Sequence, residues 1–180
     1  MKVKYKIWTT LAAAIIILLV VGVGNLFWKN KKEQALKELK TVKQFSLLED
    51  NGKLFKSTDL SSSQKMLLIF TPDFPTQIDV NAFYKFIKYQ ESLEKKGIQV
   101  ILISRGNQDL IQNFKRATRF KGRLLFDLSG TVGKLFGAWP TLEKDKNWTY
   151  ALVGNDLRVY WQKISPIFLS FAEVRAANIF

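Results

Sequence analysis

The sequence predicts an α/β domain with a mixed central sheet, preceded by one N-terminal transmembrane helix. Two observations lead to this expectation. Residues 7–28 form a long apolar span without a charged side chain. After that span, short apolar runs alternate with amphipathic runs of helical period, an order that is typical of parallel strands with helices on both faces of the sheet. The chain of 180 residues is long enough for one anchor and one domain.

The apolar span is long enough to cross a bilayer as a helix. About 22 residues in a helix rise roughly 33 Å, which matches the hydrocarbon thickness of a membrane. Trp8 and Trp28 lie near its two ends, where interfacial aromatic side chains are favoured. A cleaved signal peptide is the alternative, but the apolar run is long and no clear small-residue cleavage site follows it. We therefore expect residues 1–28 to be a tail and anchor, with 7–28 in contact with membrane lipids.

The orientation of the anchor is less clearly encoded, because lysines flank both of its ends. The positive-inside rule therefore hardly separates the two orientations. A single N-terminal span followed by one globular domain is usually a signal anchor. We expect a single-pass membrane protein whose domain, residues 44–180, is extracytoplasmic, either periplasmic or at the cell surface. Residues 29–43 have helical composition and predict a linker helix.

The amino-acid composition excludes many kinds of active site. The chain contains no cysteine and no histidine, so it cannot form a disulfide, a thiol redox couple or most Ser-His, Cys-His and zinc sites. We expect no metal and no cofactor. The formal net charge of +13 favours anionic lipids, acidic partner proteins, anionic cell-wall polymers or nucleic acid, unless it is simply a solvated lysine-rich surface. Nucleic acid is not expected for an anchored α/β domain.

The first half of the domain predicts a hairpin and two strand–helix units. Asn51-Gly52 favours a tight turn between short strands over 45–55. The apolar runs at 66–70 and 98–104 are typical of buried parallel strands. Each run precedes a segment that we predict to be an amphipathic helix, at 80–95 and 108–120.

The second half of the domain predicts a strand, a short helix, a hairpin and a closing helix. The strand covers 123–127, the helix 130–136, and the hairpin strands 150–153 and 157–161. The closing helix is predicted to begin at Pro166, where a proline is well tolerated. Its inner face would carry Ile167, Phe168, Phe171 and Val174. The antiparallel hairpin and helix, added to the parallel strands, predict a thioredoxin-like α/β sandwich.

The loop after the strand at 66–70 has a spacing with chemical meaning. A strand, a proline-rich turn and a helix N-terminus together favour an anion, because free N–H groups and the helix dipole point there. The spacing Pro72-x3-Thr76-x2-Asp79 resembles the active-site loop of the peroxiredoxin, or AhpC/TSA, family, in which the last position is a cysteine. The resemblance covers residues 45–161. Its other matching positions are Phe45, Leu47 and Gly52, Ser104 at a strand end, and the series Asp127, Gly130, Val132, Phe136 and Gly137.

The resemblance implies a peroxiredoxin-type thioredoxin-like fold, but the family's functional residues do not carry over. The peroxidatic cysteine position falls on Asp79, no resolving cysteine exists, and the family's second arginine falls near Trp148. We therefore predict no catalytic residue and no enzyme activity. What remains is a degenerate active-site loop made of Thr71, Pro72, Thr76, Asp79 and Trp148.

Two functions fit this sequence. The first is a redox-inactive binding, scaffold or accessory subunit of a membrane or envelope protein complex, with protein partners. The alternative is a small-ligand binder or non-thiol enzyme that uses the residual pocket around Thr71, Thr76, Asp79 and Trp148. Asp79 is either an N-cap or first-turn acid, or a contact to a ligand or partner. A catalytic pair of Asp73 and Asp79 is disfavoured, since exposed turn acids are far commoner than such pairs.

Overall fold

Seven strands and five helices make up the described part of the chain, which in this computed structural model comprises residues 39–73, 75–139 and 147–176. Within these residues, no helix is both long and apolar enough to span a membrane. The predicted anchor and most of the predicted linker helix lie outside the described residues.

The elements follow the predicted order. The strands are β1 (Ser46–Glu49), β2 (Leu54–Lys56), β3 (Lys65–Phe70), β4 (Ile98–Ser104), β5 (Arg123–Phe126), β6 (Trp148–Gly154) and β7 (Val159–Ser165). The helices are α1 (Gln77–Ile87), α2 (Gln90–Lys95), α3 (Gln108–Thr118), α4 (Thr131–Leu135) and α5 (Phe171–Ala176).

One mixed sheet joins all seven strands in the order β2-β1-β5-β4-β3-β6-β7. Strand β4 pairs in parallel with β3 and with β5, while β1, β6 and the two outer strands pair antiparallel with their neighbours. This arrangement confirms the predicted fold class, a thioredoxin-like α/β domain with a mixed central sheet.

Alternating side chains of the central strands build a core on each face of the sheet, as the two-residue period of a strand requires. Leu67 and Ile69 of β3 pack in the core covered by α1, α2, α3 and α5. Met66, Leu68 and Phe70 pack in the other core, which α4 and the N-terminal hairpin cover. Because β3 is buried on both faces, its sequence is a continuous apolar run rather than an alternating one.

The helix predicted over 80–95 is two helices, which corrects that prediction. It begins earlier, at Gln77, because Thr76 caps it, and it is interrupted after Ile87. At the interruption the Tyr89 N–H donates to the Phe86 carbonyl, three residues back, at 3.0 Å, instead of to the carbonyl four residues back as in an α-helix. The Tyr89 ring stacks on Phe171 of α5, with ring centroids 4.0 Å apart. This tertiary contact has no signal in the local period.

The closing helix also starts later than predicted, at Phe171 instead of Pro166. Ser170 caps it, since the Ser170 hydroxyl accepts from the Glu173 N–H at 3.3 Å and the Glu173 carboxylate accepts from the Ser170 N–H at 2.8 Å. Ile167 therefore precedes the helix and is 63% exposed, so its predicted place on the inner face was wrong. Phe168 and Val174 are buried as predicted.

Residues 40–42 are extended, which corrects the end of the linker helix predicted over 29–43. The Val42 N–H donates to the Leu157 carbonyl at 2.9 Å, and the Val159 N–H donates to the Lys40 carbonyl at 2.8 Å. Thr41 forms an antiparallel bridge with Arg158. These contacts place residues 40–42 beside the start of β7.

Tyr150 of β6 anchors the segment that leads into α5. Its hydroxyl oxygen accepts a hydrogen bond from the Leu169 N–H at 2.8 Å, and its side chain is buried. Burial raises the pKa of the Tyr150 hydroxyl far above its usual value, because the charged phenolate would lose its hydration.

This raised pKa makes stability depend on pH in alkaline solution. The folded state favours the neutral phenol, so the stabilisation is complete below the unfolded-state pKa of about 10 and is lost as pH rises above it. From pH 10 to 11 the wild type should lose up to about 1.4 kcal/mol more than Tyr150→Phe. Urea unfolding midpoints of both proteins across that range measure the difference. If the unfolding midpoints of the two proteins changed in parallel with pH, the pKa of Tyr150 would not be raised in the folded state.

Candidate functional site

Helix α1 begins with a reciprocal capping box between Thr76 and Asp79. Thr76 is the N-cap, and its hydroxyl accepts from the Asp79 N–H at 3.3 Å. The Asp79 Oδ2 atom accepts from the Thr76 N–H and from the Thr76 hydroxyl, both at 2.7 Å. A carboxylate in the first turn also interacts favourably with the helix dipole. Asp79 is thus a first-turn acid, one of the two roles considered from the sequence.

The other carboxylate oxygen of Asp79 accepts a hydrogen bond from a side chain of β6. The indole Nε1 of Trp148, at the start of β6, donates to Asp79 Oδ1 at 2.9 Å. Trp148 is fully buried and Asp79 is only 9% exposed. The Trp148 ring packs edge-on against Phe168, with centroids 4.9 Å apart, and also lies beside Phe83 and Phe114. Both oxygens of the carboxylate are therefore committed to internal donors.

A second network lies at the adjoining strand ends. Arg105, directly after β4, donates to both carboxylate oxygens of Asp73, with Nε and Nη2 each 3.0 Å away. The two side chains are 14% and 13% exposed. The Arg105 guanidinium also lies 5.5 Å from the ring centroid of Trp139. Since β3 and β4 are parallel neighbours, their carboxyl ends bring Asp73 and Arg105 together.

Trp139 ties this network to the loop after β3. Its indole Nε1 donates to the Thr71 carbonyl at 2.9 Å, and its ring meets Phe70 edge-on at 5.6 Å. Trp139 has a φ of +53°, which is unusual for a residue with a side chain. A Cβ added at Gly133 would lie 2.3 Å from the Trp139 ring, so the glycine in α4 leaves the space for this indole.

The structure therefore brings together three of the five predicted site residues. Thr76, Asp79 and Trp148 form one hydrogen-bonded set. Thr71 joins the second network through its carbonyl, and Pro72 is buried in the loop between them. The Thr71 hydroxyl oxygen is buried and has no hydrogen-bond partner among the described residues.

These contacts do not support a catalytic pair of Asp73 and Asp79. Asp73 binds Arg105, whereas Asp79 binds Thr76 and Trp148. Each carboxylate therefore has its own set of donors, which is typical of structural acids.

Sequence reasoning missed two residues of this region, Arg105 and Trp139. For Arg105 a signal existed, because it follows one parallel strand directly and Asp73 follows the neighbouring strand. For Trp139 the only local hint is Gly133, a poor helix former inside a short helix. Within the described residues, no group of three or more aspartate or glutamate side chains is placed to hold a metal ion.

Comparisons with known proteins agree with the fold. The sequence profile of the AhpC/TSA family matches residues 39–161. No curated protein sequence matches the chain significantly. Among solved structures, the peroxidoxin BcpB from Mycobacterium tuberculosis is similar at a TM-score of 0.65 and 22% identity, over 78% of this chain and 93% of that one.

Two further structures are similar over comparable lengths. A mutant of PrxQ from Xylella fastidiosa has a TM-score of 0.63 at 15% identity, over 78% of this chain and 92% of that one. A putative thiol:disulfide interchange protein DsbE from Chlorobium tepidum has a TM-score of 0.59 at 18% identity, with the same coverage of 78% and 92%. At such identities the likeness establishes the fold.

Proposed function

Because this chain belongs to the AhpC/TSA family but contains no cysteine, we propose that it is a redox-inactive member acting as a binding, scaffold or accessory subunit of a membrane or envelope protein complex. The anchor predicted over 7–28 would hold it in the membrane as a single-pass protein, with the domain on the extracytoplasmic side. Its partners would be proteins and membrane lipids, without metal, cofactor or nucleic acid.

This proposal rests on the hydrogen bonding of Asp79, which falls at the family's nucleophile position. Peroxide reduction needs a nucleophile that accepts an oxygen atom and is later reduced, and a carboxylate cannot complete that cycle. The Asp79 carboxylate already accepts from Thr76 and from the Trp148 indole. At the position of the family's reactive cysteine, this chain therefore has a carboxylate that links α1 to β6 through hydrogen bonds.

Extraction of the tagged full chain in mild detergent tests the proposed function directly. We expect it to co-purify with the same protein subunits in fixed ratio across repeated preparations. The purified chain should consume hydrogen peroxide no faster than buffer does. The matched control is residues 1–43 fused to an unrelated domain, which should lose those subunits. Thiol-independent peroxidase turnover, or a chain that purifies alone, would refute the proposal.

The alternative is a small-ligand site at the residual loop. The buried Thr71 hydroxyl, which has no hydrogen-bond partner among the described residues, favours it. A thermal-shift screen discriminates, since a ligand present at 100 times its Kd stabilises the folded state by about 2.7 kcal/mol. A hit that depends on the Thr71 hydroxyl should be lost in Thr71→Val. A hit retained by that variant binds elsewhere and does not support this alternative.

A further inference from the structure

Helix α3 ends in a Schellman motif with an arginine where glycine is usual. Arg119 has φ +59° and ψ +31°, the left-handed region. Its N–H donates to the Arg116 carbonyl, and the Phe120 N–H donates to the Lys115 carbonyl, both at 3.1 Å. Glycine is favoured at this position because any Cβ is strained there. Backbone strain of this kind is common at positions where the side chain has a function.

Arg119 lies with Lys121 on a ridge between two surface hollows, which we call the 119–121 ridge. Both side chains are exposed and both line each hollow. The hollow toward α1 and α2 has a volume of about 590 Å³, and the one toward the end of α3 about 520 Å³. Further cations border them: Lys88 on the first, and Lys115 and Arg116 on the second.

The nearby carboxylates have other partners at hydrogen-bond distance, and the pKa of Glu91 is lowered mainly by Lys95, with a smaller contribution from Lys121. Asp50 pairs with Lys115 at 2.6 Å, Glu91 pairs with Lys95 at 2.8 Å, and Glu94 accepts from the Gln90 amide at 2.7 Å. In the described parts of the chain, no carboxylate lies within salt-bridge distance of Arg119 or Lys121. Among the described residues, the Arg119 and Lys121 side chains therefore have hydrogen-bond donors that no carboxylate accepts.

Helix stabilisation does not explain the ridge. Cations near a helix C-terminus interact favourably with its dipole, but Lys115 and Arg116 already occupy the last turn of α3. Neither of them strains the backbone, whereas Arg119 does. The strained arginine is therefore better explained by a contact outside the chain.

The shape of the surface favours a polypeptide partner over a bilayer or a nucleic acid. A flat bilayer would reach the ridge but not the two hollows. A nucleic-acid backbone carries a phosphate at every nucleotide, so it would also place negative charge beside Glu91 and Glu94 in the wall of the first hollow, where a peptide can place uncharged side chains. A polypeptide can place carboxylates on the ridge and fit its other side chains into the hollows, and the guanidinium of Arg119 matches a carboxylate in two-pronged geometry.

We propose that the 119–121 ridge docks an acidic segment of a partner protein. This inference rests on the proposed function as a subunit of a protein complex, and it names the surface and the charge of the partner that such a subunit would bind. The net charge of +13 is complementary to that partner.

Binding of a fluorescent glutamate-rich peptide to the full chain in neutral detergent tests the ridge. Exposed charge pairs contribute up to about 1 kcal/mol each, so Arg119→Gly should weaken binding about threefold and Arg119→Gly with Lys121→Gln about tenfold. Wild-type binding should weaken as salt rises. The matched control, Lys53→Gln with Lys56→Gln, removes the same charge from β2 and its turn and should bind like wild type.

The Arg119→Gly variant cannot lose binding by unfolding, since glycine relieves the backbone strain. We expect its melting temperature to rise by about 2–4 °C. Equal peptide binding by wild type and the double variant would overturn the ridge proposal. Stronger displacement of the peptide by oligothymidylate or by short-chain phosphatidylglycerol than by unlabelled peptide would overturn it too.

Co-purification separates failure of the ridge from failure of the proposed function. Loss of the wild-type subunits from the double variant, but not from the Lys53 and Lys56 control, supports both proposals. A double variant that keeps those subunits leaves the proposed function standing and overturns the ridge. A wild-type chain that purifies alone overturns the proposed function, and with it the partner assigned to the ridge.

Discussion

Replacing Trp148 by alanine is expected to lower the free energy of unfolding by about 4 kcal/mol, as truncation of fully buried aromatic side chains does. Trp148 has no exposed surface and contacts three phenylalanine rings, two of them on α1 and α3, so its removal leaves a cavity in a closely packed core. Urea unfolding followed by circular dichroism measures the loss. Circular dichroism is preferable to fluorescence because the variant removes a fluorophore.

Trp161→Ala is the matched control for this prediction. Trp161 is on the edge strand β7 and is only partly buried, so the same chemical change should cost less than half as much. If the two variants lost equal stability, Trp148 would not be the buried centre of the site.

Replacing Asp79 by alanine is expected to lower the free energy of unfolding by about 3 kcal/mol. Loss of a cap typically costs about 1 kcal/mol. An unpaired buried donor, here the Trp148 indole N–H, costs about 1–3 kcal/mol more. The variant also leaves the Thr76 N–H and hydroxyl without their acceptor. Chemical denaturation of the purified wild type and variant measures this loss of unfolding free energy.

Asp109→Ala supplies the control for Asp79. Asp109 is also an acid in the first turn of a helix, but it is exposed and the cap of that helix is Asn107. Its loss should cost less than about 0.5 kcal/mol, the size of an exposed dipole interaction. An Asp79 variant as stable as the Asp109 variant would favour the ligand-contact interpretation of Asp79.

The fold could be predicted from the sequence because its signals are local. Continuous apolar runs indicated the buried strands β3 and β4, and Asn51-Gly52 indicated the first hairpin. The acid in the first turn of α1 was also accessible, since the spacing of Thr76 and Asp79 is that of a capping box. Helix boundaries were less accurate. The break between α1 and α2 comes with a tertiary contact of Tyr89 that the helical period does not contain, whereas the start of α5 had a local signal, the capping-box spacing of Ser170 and Glu173.

The partners inside the site could not be predicted in the same way. Trp148 was included because it falls near the family's arginine position, and nothing local indicated its hydrogen bond to a residue 69 positions away. The positive φ values of Arg119 and Trp139 contradict local preference, so only the folded chain reveals them. At Trp139, the indole hydrogen bond to the Thr71 carbonyl and the contact with the Phe70 ring offset the strain.

The most direct test of a structural role for position 79 is a double-mutant cycle with Asp79→Ala and Trp148→Phe. The two side chains meet in one buried hydrogen bond of 2.9 Å, and residues in contact typically couple by about 0.5–3 kcal/mol. We predict a coupling free energy of about 1–2 kcal/mol in the unfolding equilibrium, within that range. If the stability losses of the two single variants added up to that of the double variant within about 0.3–0.5 kcal/mol, as for independent sites, position 79 would not have this structural role.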